Sequence, residues 1–199
     1  HKNFQFKIRD NIRHFKFKKI KSLNKFDEFI YYLANGQIEH NLIGLSFENM
    51  KFNEKNFYSI DKLCRSKKGD KSMGLRSLSF DSSLNENHYN YFISSFLNKD
   101  TTRHLCMLSL NNAFNLCMPL LLDKIRNLSS LSLANCNINI VTTLQCINRV
   151  RMDNLRMLNL SGNYCSKMAP PDFDKKKKKR EKKKKKDYNS EEYNPNDDV

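Results

Sequence analysis

The sequence predicts an α/β fold built by repetition, a solenoid in which a short parallel strand alternates with a helix, and three observations predict it. One apolar spacing (large residue, two positions, large residue, one position, large residue) occurs at Ile12/Phe15/Phe17, Leu42/Leu45/Phe47, Leu75/Leu78/Phe80, Leu105/Leu108/Leu110, Leu128/Leu131/Leu133 and Leu155/Leu158/Leu160. The block starts lie 30, 33, 30, 23 and 27 residues apart, which is the period range of stacked repeats. Between the blocks, apolar residues recur at the three- and four-residue intervals of a helix.

At the start, Phe4-Gln5-Phe6-Lys7-Ile8 alternates with period two, yet Phe4, Ile8, Ile12 and Phe15 also match a helix. Residues 1–11 therefore read as a capping strand or as the end of an earlier repeat. Asn24 is placed to cap a helix carrying Phe26, Phe29, Ile30 and Leu33, with Gly36 to end it. A second helix follows Asn53, with Phe57, Ile60, Leu63 and Cys64 on one face and Gly69 beyond. Asn85 is placed to cap a third, carrying Tyr89, Phe92, Ile93 and Phe96. Pro119 suits the first turn of a fourth through Leu122 and Ile125, because that turn leaves its donors unpaired anyway. Asn139 opens the last, with Val141, Leu144 and Ile147 as its apolar stripe.

Such units have to stack. One repeat buries about six residues at roughly 1.5–3 kcal/mol each, while ordering nearly 30 residues costs about 1–2 kcal/mol apiece in backbone entropy. Strands pack about 4.8 Å apart and helices about 10 Å, so one of each per repeat opens the helical side. A curved parallel sheet on the concave side, with helices on the convex side, is expected.

The pattern L-x-x-L-x-L-x-x-N/C-x-L is met by Leu128, Leu131, Leu133, Cys136 and Ile138, and next by Leu155, Leu158, Leu160, Asn163 and Cys165. Over residues 12–165 the chain resembles the leucine-rich repeat family. Its long repeats with helical second halves resemble the ribonuclease-inhibitor-like subfamily, without the usual glycine pair after the strand. In earlier blocks the ninth position is Ile20, Met50, Ser83 and Ala113, where the family prefers a residue that hydrogen-bonds the neighbouring turn, so irregular turns are expected there. The resemblance implies protein binding through the concave face or the loops after each strand. It also admits, as minor alternatives, a GTPase-activating or ubiquitin-ligase adaptor role, although no catalytic arginine motif is matched.

Formal net charge is +15 and is concentrated at the termini: residues 1–25 carry nine Lys/Arg against Asp10, and residues 175–186 carry eleven against Glu181. The heavy use of Lys and Asn reads as mutational bias in the source genome, which weakens inference from charge. Residues 166–199 hold too few apolar residues to fold and read as a disordered Lys/Asn-rich tail. The run 175–186 fits a solvated tract, nuclear import, or weak polyanion binding by counterion release, with no interleaved aromatic residues to stack bases. The first residue is His1, and the repeats reach Cys165 without a polar capping turn, so a piece of a longer array is expected.

Cys64, Cys106, Cys117, Cys136, Cys146 and Cys165 show no zinc spacing and read mostly as buried free thiols of a reducing compartment. No run of 18 apolar residues is present to span a membrane, and no signal sequence is visible. Cytoplasm or nucleus is therefore favoured. Scattered histidines, with no P-loop, nucleophile elbow or metalloprotease motif, give no support to an enzyme or a cofactor. The sequons at Asn127 and Asn159 are read as chance.

Function is expected on the side chains between the buried strand positions. One column of them is Lys16, Ser46, Ser79, Ser109, Ser132 and Asn159, and a second is Lys18, Glu48, Asp81, Asn111, Ala134 and Ser161. A third is His14, Gly44, Ser77, Met107, Ser130 and Met157. The candidate partner-binding residues are Lys16, Lys18, Ser46, Glu48, Ser79, Asp81, Met107, Ser109, Asn111, Ser132, Met157 and Asn159. Lys18, Glu48 and Asp81 are expected to pair with one another, and Met107 with Met157 forms an adaptable apolar contact. The columns contain no Trp, Tyr or Arg, the usual hot-spot residues, so a partner lying close on the serine ladder or held by the loops around Asn49, Ser82, Asn112, Asn135 and Gly162 is the leading reading. Nucleic-acid or anionic-surface binding through the basic flanks is the alternative.

Overall fold

A computed structural model describes residues 6–7, 12–20, 23–39, 41–65, 67–68, 71–72, 74–84, 89 and 91–165. The strands are β1 (Phe6–Lys7), β2 (His14–Lys18), β3 (Ile38–Glu39), β4 (Gly44–Glu48), β5 (Lys67–Lys68), β6 (Lys71–Ser72), β7 (Ser77–Asp81), β8 (Met107–Ser109), β9 (Ser130–Ser132) and β10 (Met157–Asn159). The α-helices are α1 (Leu23–Ala34), α2 (Glu54–Arg65), α3 (Lys99–Thr102), α4 (Met118–Lys124) and α5 (Ile140–Val150), with a π-helical turn over Phe92–Phe96. The architecture is α/β. Its centre is a six-stranded parallel sheet in the order β2-β4-β7-β8-β9-β10, each strand pairing with the next block's strand. β1 adds a short parallel pair to β3, so Phe6 and Lys7 are strand rather than helix. β5 and β6 form a small antiparallel pair.

The recurring apolar spacing becomes one buried face. Leu45, Phe47, Leu78, Phe80, Leu108, Leu131 and Leu133 are all at most 2% exposed. Against them pack Phe26, Ile30 and Leu33 of α1, then Phe57, Ile60 and Leu63 of α2, then Phe92 and Phe96, then Leu121 and Leu122 of α4. Aromatic rings join the first three units: Phe17 stacks on Phe47 at 5.6 Å, Phe47 meets Phe80 at 5.1 Å, and Phe80 meets Phe92 edge-on at 5.3 Å.

Local chemistry sets most element ends. Gly36, at φ +70°, ends α1 in a Schellman motif, with Gln37 N donating to Tyr32 O at 3.0 Å and Gly36 N to Leu33 O at 3.3 Å. Asn53 and Asn56 exchange reciprocal bonds of 3.1 and 2.9 Å across the first turn of α2. Pro119 sits in the first turn of α4, and Asn139 caps α5 by accepting from Thr142 N.

Three expectations are corrected. Asn24 lies inside α1, whose first described residue is Leu23, so it is not the cap. The third helical segment winds as a π turn over Phe92–Phe96 instead of an α-helix, with Phe92, Ile93 and Phe96 buried as their spacing predicts. On α5, Val141 and Leu144 are 40% and 46% exposed while Thr143 is buried, because the sheet-facing side of the helix is the one carrying Thr143 and Ile147. Asn85, Gly69 and the tail at 166–199 lie outside the described residues.

Candidate functional site

Two of the three columns are physical rows in full, and the one beginning at Lys18 is paired as far as Asp81. The register aligns Lys16, Ser46, Ser79, Ser109, Ser132 and Asn159 strand by strand, and the same holds for His14, Gly44, Ser77, Met107, Ser130 and Met157. Because side chains alternate across a strand, these residues occupy the sheet face opposite the apolar row, hereafter the polar face. Lys16, Met107, Met157 and Asn159 are exposed there, and Ser46, Ser79, Ser109 and Ser132 are half-buried.

Hydrogen bonds divide this face in two. On its first side Glu48 is gripped by both Lys16, at 2.7 Å, and Lys18, at 2.6 Å. The two ammonium donors hold the Glu48 carboxyl down at about 2, from an ordinary 4.5. On the second side Asp81 is not part of that group, contrary to expectation. Its Oδ1 accepts from Ser109 Oγ at 2.6 Å and from Asn111 N at 3.3 Å. Asn111 Oδ1 then accepts from Ser132 Oγ at 2.7 Å and Ala134 N at 2.9 Å. Asn159 Nδ2 donates to Ser132 Oγ at 3.1 Å, and Asn159 Oδ1 accepts from Ser161 N and Oγ. Ser79, between the two groups, keeps its Oγ enclosed and without a partner.

Methionines 107 and 157 stand two strands apart in one row, with Ser130 between them, 43% and 57% exposed. At the other end of this row the His14 ring lies over Gly44: a Cβ there would fall 2.3 Å from His14 Cδ2. That contact was not legible in the sequence, although a glycine beside a histidine in one row is its signal.

The loops after the strands are far more regular than expected. Lys19, Asn49, Ser82, Asn112, Asn135 and Gly162 all adopt left-handed φ between 50° and 69°. Five of them donate their N–H to the next unit: Lys19 to Glu48 O, Asn49 to Asp81 O, Ser82 to Asn111 O, Asn112 to Ala134 O and Asn135 to Ser161 O, all at 2.8–3.0 Å. Asn tolerates this conformation better than most non-glycine residues, which suits Asn49, Asn112 and Asn135 to the position, whereas Lys19 and Ser82 adopt it without that advantage. The ninth position adds side-chain bonds at three turns. Ser83 Oγ accepts from Met50 N and donates to Phe47 O, Cys136 Sγ donates to Leu110 O, and Asn163 bonds Cys136 N, Ile138 N, Leu133 O and Leu160 O.

Of the cysteines, only Cys64 and Cys136 are buried, with thiols pushed up to about 12 and about 11 by desolvation, whereas Cys106, Cys117 and Cys165 are exposed. The expectation of mostly buried thiols is therefore corrected. Among the described residues no group of three or more His, Cys, Asp or Glu is arranged to hold a metal ion, and no helix is long and apolar enough to cross a membrane. No family model matches this chain, and no curated protein matches it.

Proposed function

We propose that this chain is a leucine-rich-repeat-type solenoid that works as a non-enzymatic protein-interaction module, binding a protein partner across the polar face and the loops after its strands. The observation that carries this reading is the repetition itself. Six strands in sequential parallel order are each followed by a left-handed residue, and five of these make the same backbone bond to the next unit. Such a scaffold holds a row of side chains in fixed register and leaves their identity free to vary, which suits recognition of an extended surface. The half-buried serine and amide ladder offers a flat polar platform. Met107 and Met157 offer its apolar contact, since thioether side chains adapt to irregular partners.

The test is co-purification of the full chain from its source at physiological salt with nuclease added, comparing wild type with Met107→Arg plus Met157→Arg. Both side chains are exposed, so the pair leaves the core untouched. Loss of a protein partner in the double variant is the expected result. Partners that ignore the substitutions and disappear with nuclease overturn the reading in favour of polyanion binding through the basic flanks, whose affinity falls steeply with salt.

A further inference from the structure

On the helical side of the sheet, α4 and α5 leave a groove of about 470 Å³ between them. Leu120, Cys146 and Val150 give it apolar walls, and Arg126, Arg149 and Arg151 stand around it with Asp123 as the sole acid in the lining. Arg126 is turned to Asp123, one turn earlier on the same segment. Among the described residues no carboxylate pairs with Arg149 or Arg151, and both side chains stand in the groove lining. Backbone geometry fixes their places: Arg149 lies in the last turn of α5, and Arg151 is its C-cap, at φ 57°. Leu120 is 58% exposed beside them.

We propose that this groove docks an acidic segment of a protein partner, with an apolar side chain against Leu120 and Val150 and carboxylates on Arg149 and Arg151. Charge complementarity selects the occupant. A guanidinium presents a planar fork that matches a carboxylate with two parallel hydrogen bonds, and arginine is enriched among residues that dominate protein interfaces. The polar face has no arginine in its three columns, so this second surface has a chemistry that the first lacks. The volume lies within the range of about 300–1,000 Å³ of ligand-binding clefts and accommodates an anchoring side chain with its neighbours. A nucleic acid is the poorer fit, because the lining offers no aromatic ring on which a base stacks and its walls are apolar.

The test uses the full chain, immobilised at about 0.15 M salt, where the Debye length is about 8 Å, and a random twelve-residue peptide library displayed on phage. Selected peptides are expected to carry two or more Asp or Glu around a large apolar residue. A synthetic copy of one selected peptide is then measured by fluorescence anisotropy against wild type, Arg149→Glu plus Arg151→Glu, Leu120→Ser, and Lys182→Glu plus Lys184→Glu. The arginine pair is expected to weaken binding about tenfold or more, Leu120→Ser about threefold to tenfold, and the lysine pair less than about threefold. Arg149→Gln plus Arg151→Gln repeats the first comparison without reversing charge, and circular dichroism checks that each variant is folded. Four results overturn the proposal: no enriched peptide, enriched peptides without acidic residues, equal binding to both arginine variants and wild type, or loss of binding confined to the lysine variant. Displacement of the peptide from the groove by a single-stranded thymidine oligonucleotide at lower concentration than by unlabelled peptide likewise overturns it, by showing a nucleic-acid site.

Discussion

The first three strands of the sheet and the last three solve one problem with different materials. β2, β4 and β7 are five residues long, lie in units spaced 30–33 residues apart, and fill the gap to their helices with Phe17, Phe47, Phe80, Phe26, Phe57 and Phe92. β8, β9 and β10 are three residues long, and the units they open include the shortest, at 23 residues, filled by leucines and by the seven-residue α4. The strand ends differ as well. Where the early strands continue in backbone register through Lys18, Glu48 and Asp81, the later ones hand their donors to side chains, Asn111 N to Asp81 and Ala134 N to Asn111. Ring packing is thus concentrated in the early units, whereas the late units combine leucine packing with side-chain hydrogen bonds at their strand ends.

The largest expected effect tests the aromatic half. Phe80 is fully buried and its ring contacts Phe47, Phe52, Phe57, Phe92 and Phe96, so Phe80→Ala opens a cavity shared by two units. A loss of about 3–5 kcal/mol is expected, read as a lower urea midpoint. Leu133→Ala, equally buried in the leucine half, falls in the range of about 2–5 kcal/mol for a smaller side chain. If Leu133→Ala proved the more damaging of the two, the aromatic half would not be the more tightly bound.

Next comes the amide half. Asn163 satisfies two backbone N–H groups, of Cys136 and Ile138, and two carbonyls, of Leu133 and Leu160, at 2.7–3.3 Å. Asn163→Ala leaves several of these without a partner, and each unpaired buried group costs about 1–3 kcal/mol. Hydrogen exchange at Cys136 and Ile138 is expected to accelerate, with little change at Phe47. Equal acceleration at both ends would show that the two halves unfold as one.

These differences also mark what the sequence carried. The apolar triplets declare themselves because burial demands large side chains at two- and three-residue spacing, and all six became strands in the expected order. Asn53, Pro119 and Asn139 are legible as helix starts because each acts on its own first turn. Asn24 is not, because an asparagine near a helix start is compatible with a cap or with the first turn, and tertiary packing of Phe26 and Ile30 decides. The three columns follow from strand alternation alone. Their bonding does not, since Asp81 faces Lys18's neighbour on one side and Ser109 on the other, and only geometry chooses Ser109. The arginine groove escapes a reading by strands altogether, because Leu120 and Arg149 meet only once α4 and α5 are side by side.

The smallest expected effect concerns the charged end of the polar face. Glu48 titrates at about 2 because Lys16 and Lys18 both donate to it, whereas an unfolded chain returns it to about 4.5. The unfolded state therefore binds the proton more readily. The stabilisation from this carboxylate is present above about pH 4.5 and is lost as pH falls towards 2. Carbon-detected NMR of the Glu48 carboxyl is expected to show a midpoint near 2, rising towards 4.5 in Lys16→Ala plus Lys18→Ala. Added salt is expected to raise the wild-type midpoint, since the ion pairs are exposed and screened, while the backbone amides of Asn111 and Ala134, which donate to Asp81 and Asn111, keep their shifts. A wild-type midpoint near 4.5 would mean that the two lysines do not hold Glu48 in solution, and the division of the polar face into an ion-paired side and an amide side would then rest on the amide side alone.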